Sequence, residues 1–275
     1  MNKQAKRILA VGAMLLVAVT LAGCSNAPVD ANSTGFWDRY IIYNAAQFIV
    51  WLSNLLGGNY GVGIIAFTIL VRVLIFPLSA ISMKNMTKQS EIAPQLKALQ
   101  KKYSARDAET QNKLREETQK LNAEAGVNPV MGCLPVVIQM PFLLALYQAI
   151  FRTDVLKSGT FLWMQLGSPD PLLITVILAA ILTGLTSYMS MLAQPQTNGM
   201  TWIMTLAMPV FIFVIALKLP SAVTIYWVVT NAFSLVQQFV LQNPFKLRRE
   251  RAERAQAAKD KERAKRRAYK KALRK

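Results

Sequence analysis

The chain has 275 residues, 53% of them hydrophobic, a mean hydropathy of +0.29 and 32 basic against 14 acidic residues, a formal charge of +18. Several uncharged apolar runs of about 20 residues exclude an ordinary soluble domain and define an all-α membrane protein. No histidine and two separated cysteines exclude a zinc-ligand motif and a disulfide framework, and no phosphate-cradling loop is present.

Lys3, Lys6 and Arg7 precede an apolar stretch, Ile8 to Leu21, that ends in Leu21-Ala22-Gly23-Cys24. This resembles a bacterial lipobox, which implies that residues 1–23 are a lipoprotein signal peptide and that Cys24 carries a diacylglyceryl, palmitate-type anchor. A disulfide from Cys24 to Cys133 is implausible, because Cys133 opens a span expected to start on the opposite side. Residues 24–58 form a polar linker followed by FWDRYIIYNAAQFIVWLSNLLGG, in which Trp37, Tyr40, Ile41, Phe48, Trp51, Leu52 and Leu55 recur at helical spacing. Asn44, Gln47, Ser53 and Asn54 make this segment too polar for a comfortable span, so an interfacial amphipathic helix is expected.

Residues 59–245 read as a core of five spans: Gly61 to Ile81, Leu134 to Phe151, Leu172 to Leu192, Trp202 to Leu217 and Ser221 to Leu241. Lys218 and Pro220 split the last apolar stretch into a tight hairpin of two helices. Between the first two spans, residues 82–130 predict a mobile two-helix hairpin. Met83, Met86, Ile92, Leu96, Leu99 and Tyr103 stripe its first arm, and Leu114, Leu121 and Ala125 its second, which Gly126 ends. Nine basic residues lie between Lys84 and Lys120 and fifteen after Gln242, whereas Arg39, Arg152, Lys157 and Lys218 are the basic residues of the other side. The positive-inside rule therefore puts the hairpin and the basic tail, residues 246–275, in the cytoplasm. The lipobox independently puts Cys24 outside a bacterial inner membrane, and five spans connect the two placements.

Arg72 sits at the middle of the first span, where a cation costs on the order of 3 kcal/mol on insertion scales. All fourteen acidic residues lie outside the apolar runs, so the sequence offers Arg72 no carboxylate within the membrane. Such a group points to a hydrated cavity or an anionic guest; a carbonyl-bonded or snorkelling Arg is the plainer reading. Thr68 aligns with Arg72. Gln139 adds an amide to the second span; Thr183, Ser187, Ser190 and Gln194 stripe the third, and Thr224, Trp227, Asn231, Ser234 and Gln238 the fifth. These stripes either bond helix to helix or line water. A basic polar groove would lower the barrier for passing an acidic segment of another polypeptide while its apolar helix moves into lipid. Apolar transfer and the membrane potential would drive it, with no cofactor or covalent chemistry. A small-anion transporter and a passive assembly subunit are the competing readings.

At the level of motifs, residues 59 to 245 resemble the YidC/Oxa/Alb membrane protein insertases. The resemblance rests on TILVRVLIFPLS, MKNMTKQSEIAPQLKALQKKY, GCLPVVIQMPFLLALYQAI and PSAVTIYWVVTNAFSLVQQ, with Pro135, Gln139, Pro141, Ala145, Leu146 and Tyr147 the most specific set. The lipobox looks like the Gram-positive form of the family. What the resemblance implies is a non-enzymatic insertase and foldase for nascent membrane proteins. Arg72 matches its groove cation, and Thr68, Gln139, Ser187, Trp227 and Asn231 fall on groove-lining helices. The basic tail is expected to touch ribosomal RNA or anionic lipid, and action beside the Sec translocon is an open alternative.

Overall fold

In the computed structural model, residues 27–132, 134–195 and 199–272 are described, so the expected signal peptide, Cys24 and Cys133 lie outside the described residues. The main helices are α1 (Tyr43–Leu55), α2 (Tyr60–Lys102), α3 (Ala108–Glu124), α4 (Leu134–Arg152), α5 (Ile174–Leu192), α6 (Gly199–Ala216), α7 (Ser221–Leu241) and α8 (Pro244–Ala272). A π-helical turn, Trp37–Ile42, leads into α1, and a two-strand hairpin, β1 (Thr160–Phe161) with β2 (Met164–Gln165), lies between α4 and α5. Five helices, α2, α4, α5, α6 and α7, contain a stretch long and apolar enough to cross a membrane, as the hydropathy predicts.

The first span differs from its expected bounds. Instead of ending near Ile81, α2 continues to Lys102, 43 residues from its start at Tyr60, and includes the whole first arm of the hairpin. Hydropathy changes at Lys84, but the helix runs on past that point and carries Pro94, which has no N–H to give the backbone ladder, within it. The change of polarity is a change of surroundings along one helix.

The chain divides into two compact units. The first comprises residues up to Ser79, Cys133–Thr183 and Pro209–Phe233. Its core joins Ile42, Ala46 and Ile49 to Ile64 of α2, to Leu146, Ala149 and Ile150 of α4, and to Ala222, Ile225 and Tyr226 of α7. Thus the π-helical turn and α1 together have two apolar faces: Ile42, Ala46, Ile49 and Leu52 face inward, while Tyr40, Phe48, Trp51 and Leu55 are exposed. Gly63 permits the close approach of α1 to α2. A Cβ there would lie 2.9 Å from the Ile49 carbonyl oxygen and would collide with the Ser53 side chain.

Arg152, at the end of α4, closes the unit from one side. Its guanidinium donates to both Asp38 oxygens at 2.8 and 2.5 Å, to the Ala27 carbonyl at 2.6 Å and to Gln148 Oε1 at 3.2 Å. Its carbonyl accepts from the Val29 N–H at 3.0 Å, so residues 27–38 are strapped to α4.

A second node forms on Asp170. Its carboxylate accepts from the Thr175 N–H and hydroxyl at 2.8 and 2.7 Å, from the Trp163 indole at 2.9 Å and from the Leu172 N–H at 3.0 Å. The Thr175 and Thr224 hydroxyls lie 2.8 Å apart, which joins the start of α5 to α7. Burial of Asp170 opposes its ionisation, but these donors together outweigh it and hold the carboxyl below its ordinary range. A depressed carboxylate stabilises the fold above its unfolded value, roughly pH 4, and that contribution is lost as pH falls through the lower folded value. Asp170→Asn should therefore lower stability at neutral pH by about 1–3 kcal/mol, an effect that shrinks in acid. Thermal unfolding in detergent at pH 7 and pH 3 checks this; a penalty equal at both pH values would refute it.

The second unit comprises Ala80–Gly132, Gly184–Met208 and Ser234–Lys275. Asp107 caps α3 by accepting from the Thr110 N–H at 2.8 Å, a bond that holds its carboxyl below the ordinary range. Gly126, at φ 60°, turns the chain out of α3 where the sequence places the stop. No residue of α3 is buried, and Ile92 is the buried apolar residue of the facing arm. The two arms therefore bury little apolar surface along their length. At its base, Asn85 donates to the Asn128 carbonyl at 2.8 Å and accepts from the Asn128 N–H at 2.9 Å. Ser82 adds a bond to the Met131 carbonyl at 2.7 Å.

Candidate functional site: a cation within the first span

Arg72 lies on α2 one turn after Thr68, a little over three turns from the start of the helix. It is half-buried, and among the described residues it enters no salt bridge. The titratable side chain that it senses is Tyr226 of α7, whose phenol is 4% exposed and also interacts with Thr230. Among the described residues no carboxylate is paired with this guanidinium, so its charge is available to a guest.

The other expected residues take distinct places. Thr68 is buried, and its hydroxyl donates to the Ile64 carbonyl at 2.7 Å, so its lone pairs rather than its proton remain for another group. Gln139 of α4 is half-buried. Trp227 is partly buried against the core, and its carbonyl accepts from Asn231 Nδ2 at 2.9 Å. Ser187 is half-buried and belongs to the second unit.

The polar face of α7 is broader than its sequence stripe. Thr224 is buried in the Asp170 network, whereas Trp227, Asn231 and Ser234 are half-buried. The residues that sequence reasoning missed, Tyr226 and Thr230, lie one position back on the same helix and are more deeply buried. Their spacing of four residues was the available signal.

In the second unit, polar stripes pair directly. Gln238 of α7 donates to Ser190 of α5 at 2.7 Å, and Gln242 donates to the Met83 carbonyl at 2.9 Å. There the interhelical-bond reading of the stripes holds. Arg251 of α8 donates to the Ala193 carbonyl at 2.5 Å and to Ser90 Oγ at 3.4 Å, while most of α8 is exposed. Desolvation pulls the Arg251 guanidinium below its ordinary range.

Residues 51–249 match the family described as 60Kd inner membrane protein. A relative from Enterococcus faecalis, named membrane protein insertase YidC, is 50% identical over 95% of this chain and 94% of its own length. One from Lactiplantibacillus plantarum, named membrane protein insertase YidC 2, is 51% identical over 93% of this chain and 92% of its own. Among solved structures, one titled as an active YidC insertase with the first transmembrane domain resolved is similar at a TM-score of 0.57 and 28% identity. The match covers 75% of this chain and 47% of that one. With a matched segment that contains all five spans and Arg72, and with relatives half identical along nearly their whole length, the chain belongs to the YidC family of 60Kd inner membrane proteins.

Proposed function

We propose that the chain inserts and folds membrane proteins, guiding transmembrane segments of newly made chains into the bilayer without nucleotide hydrolysis or covalent chemistry. The observation that carries this reading is Arg72: a half-buried cation in an apolar helix, facing a phenol and no carboxylate among the described residues. A polar or acidic stretch of a client passes along this side while its apolar helix moves into lipid. Each client Leu, Ile or Phe contributes roughly 0.3–0.6 kcal/mol to that transfer. Thr68, Gln139, Trp227 and Asn231 of the first unit contact the client, as does Ser187 of the second, and the hairpin at 82–130 receives the incoming chain.

The basic residues of the hairpin and of α8 support a cytoplasmic location for both, and the opposite end carries the lipid anchor at Cys24 in the bacterial inner membrane. The exposed Tyr40, Phe48 and Trp51 support an interfacial role for residues 36–58. The tail touches ribosomal RNA by neutralising phosphates, since its aromatic residues are too few for base stacking. Work beside the Sec translocon is compatible with this arrangement. The test is reconstitution of the purified protein in liposomes with a single-span client bearing an acidic N-terminal segment. Protease-protected client, above the level of empty liposomes, is expected. No protected client, together with chloride flux through the same liposomes, would replace this reading with that of an anion carrier.

A further inference from the structure

We propose that the connection between α4 and α5 is a lipid-docking surface, in which Leu162, Trp163, Leu172, Leu173 and Ile174 seat in the headgroup–acyl boundary of the adjacent leaflet. The stretch SGTFLWMQLGS, Ser158 to Ser168, carries no charge. It forms an antiparallel hairpin with Thr160 opposite Gln165 and Phe161 opposite Met164, leaving Leu162 and Trp163 as the two turn residues. Leu162 has φ 54°, and Trp163 is not in the left-handed region. The first central position of such a turn favours glycine, and a hairpin tip in water favours Gly, Asn or Asp. Here a leucine stands in its place and is 71% exposed. Leu173, at φ 57°, repeats the departure in the turn before α5. Both strained positions hold an apolar side chain where glycine would relieve the backbone.

Asp170 fixes the two turns together. It accepts from the Trp163 indole and the Leu172 N–H, and its carbonyl accepts from the Leu173 N–H at 3.3 Å. The polar edge of Trp163 is thereby satisfied inside the protein, and its exposed ring surface is purely apolar. Leu172, Leu173 and Ile174 lead directly into the exposed face of α5, namely Ile177, Leu178 and Ile181, which a spanning helix presents to lipid. A protein partner would meet a polar rim around an apolar centre; continuity with the lipid-facing side of a span selects the bilayer as occupant. The hairpin then holds this end of the first unit at a fixed depth, as interfacial aromatic residues do.

The test uses the full chain in phosphatidylcholine–phosphatidylglycerol liposomes, in a Cys133→Ala background whose residual labelling is subtracted. An environment-sensitive NBD probe is attached after Leu162→Cys or, as a second position, Leu172→Cys. Ala31→Cys in the exposed linker serves as the water reference and Val214→Cys on the exposed face of α6 as the lipid reference. Shallow doxyl-labelled lipid should remove about half of the fluorescence at 162 and 172, with iodide quenching far below that at 31. Iodide quenching equal to that at Ala31 would overturn the proposal, and so would protection from both quenchers, which would mean cover by protein. Impermeant maleimide separately reports which side the hairpin occupies, so a wrong membrane orientation is distinguished from a wrong docking surface.

Discussion

Replacing Arg72 with alanine is expected to slow insertion of a single-span client with an acidic N-terminal segment by more than tenfold, while Arg72→Lys retains most of it. One Asp at the bilayer centre costs on the order of 3 kcal/mol. If the unneutralised guanidinium offsets about 2 kcal/mol of that, its loss slows passage roughly 30-fold. Lysine keeps the charge and the reach but loses the planar fork, so its retention separates a field effect from bidentate recognition. A client whose leading segment carries no charge should insert equally with all three proteins, because it gains nothing from the cation. Tyr226→Phe, which leaves Arg72 charged, should stay near wild type. Protease protection of client in liposomes, with each variant checked for folding by thermal unfolding, reads all of these. Equal insertion of the acidic client by wild type and Arg72→Ala would remove Arg72 from the mechanism.

The spans were legible because hydropathy reports the environment of a long helix directly, and α7 keeps the expected bounds of Ser221 and Leu241. The junction near Ile81 was misread for the same reason: the environment changes there but the helix does not. Between Trp37 and Leu55, the members Tyr40, Phe48, Trp51 and Leu55 of the visible recurrence form the exposed face, whereas Leu52 of the same recurrence is buried. The packed face, Ile42, Ala46 and Ile49, is hidden in a segment apolar on both sides, where periodicity loses contrast. Arg72 stood out because a lone cation in an apolar run is anomalous at the level of sequence alone. Tyr226 did not, because a tyrosine in a membrane helix is ordinary until its neighbour across the bundle is known. The reciprocal Asn85–Asn128 bonds join residues 43 positions apart, and the Arg152–Asp38 pair spans 114. No local pattern encodes a partner at that separation. In the sequence, Arg152 was a loop charge with a topological meaning; in the fold it is a buried anchor.

That anchor leads to an asymmetry: Asp38→Ala should destabilise the protein more than Arg152→Met. The Arg152 side chain is 5% exposed and that of Asp38 is 20% exposed. Removing Asp38 takes the carboxylate away from a buried guanidinium, and the Ala27 carbonyl and Gln148 Oε1, which also accept from it, carry no charge. Stranding a buried charge in this way costs about 3–5 kcal/mol. Removing the guanidinium instead leaves a carboxylate that water can reach, while methionine fills much of the space along α4. A loss of about 1–2 kcal/mol is expected, mostly from the Ala27 and Gln148 bonds. The double variant should then be more stable than Asp38→Ala alone, since deleting the stranded cation removes the larger penalty. Thermal unfolding of the two single variants and the double in detergent completes the cycle, and protease cutting within residues 27–36 reports release of the strap. A double variant no more stable than Asp38→Ala would mean that the bonds to the linker, rather than the ion pair, hold this corner. The strap would then be fixed chiefly by Val29, whose side chain is buried in the core and whose N–H is bonded to Arg152 through a backbone carbonyl that neither substitution removes.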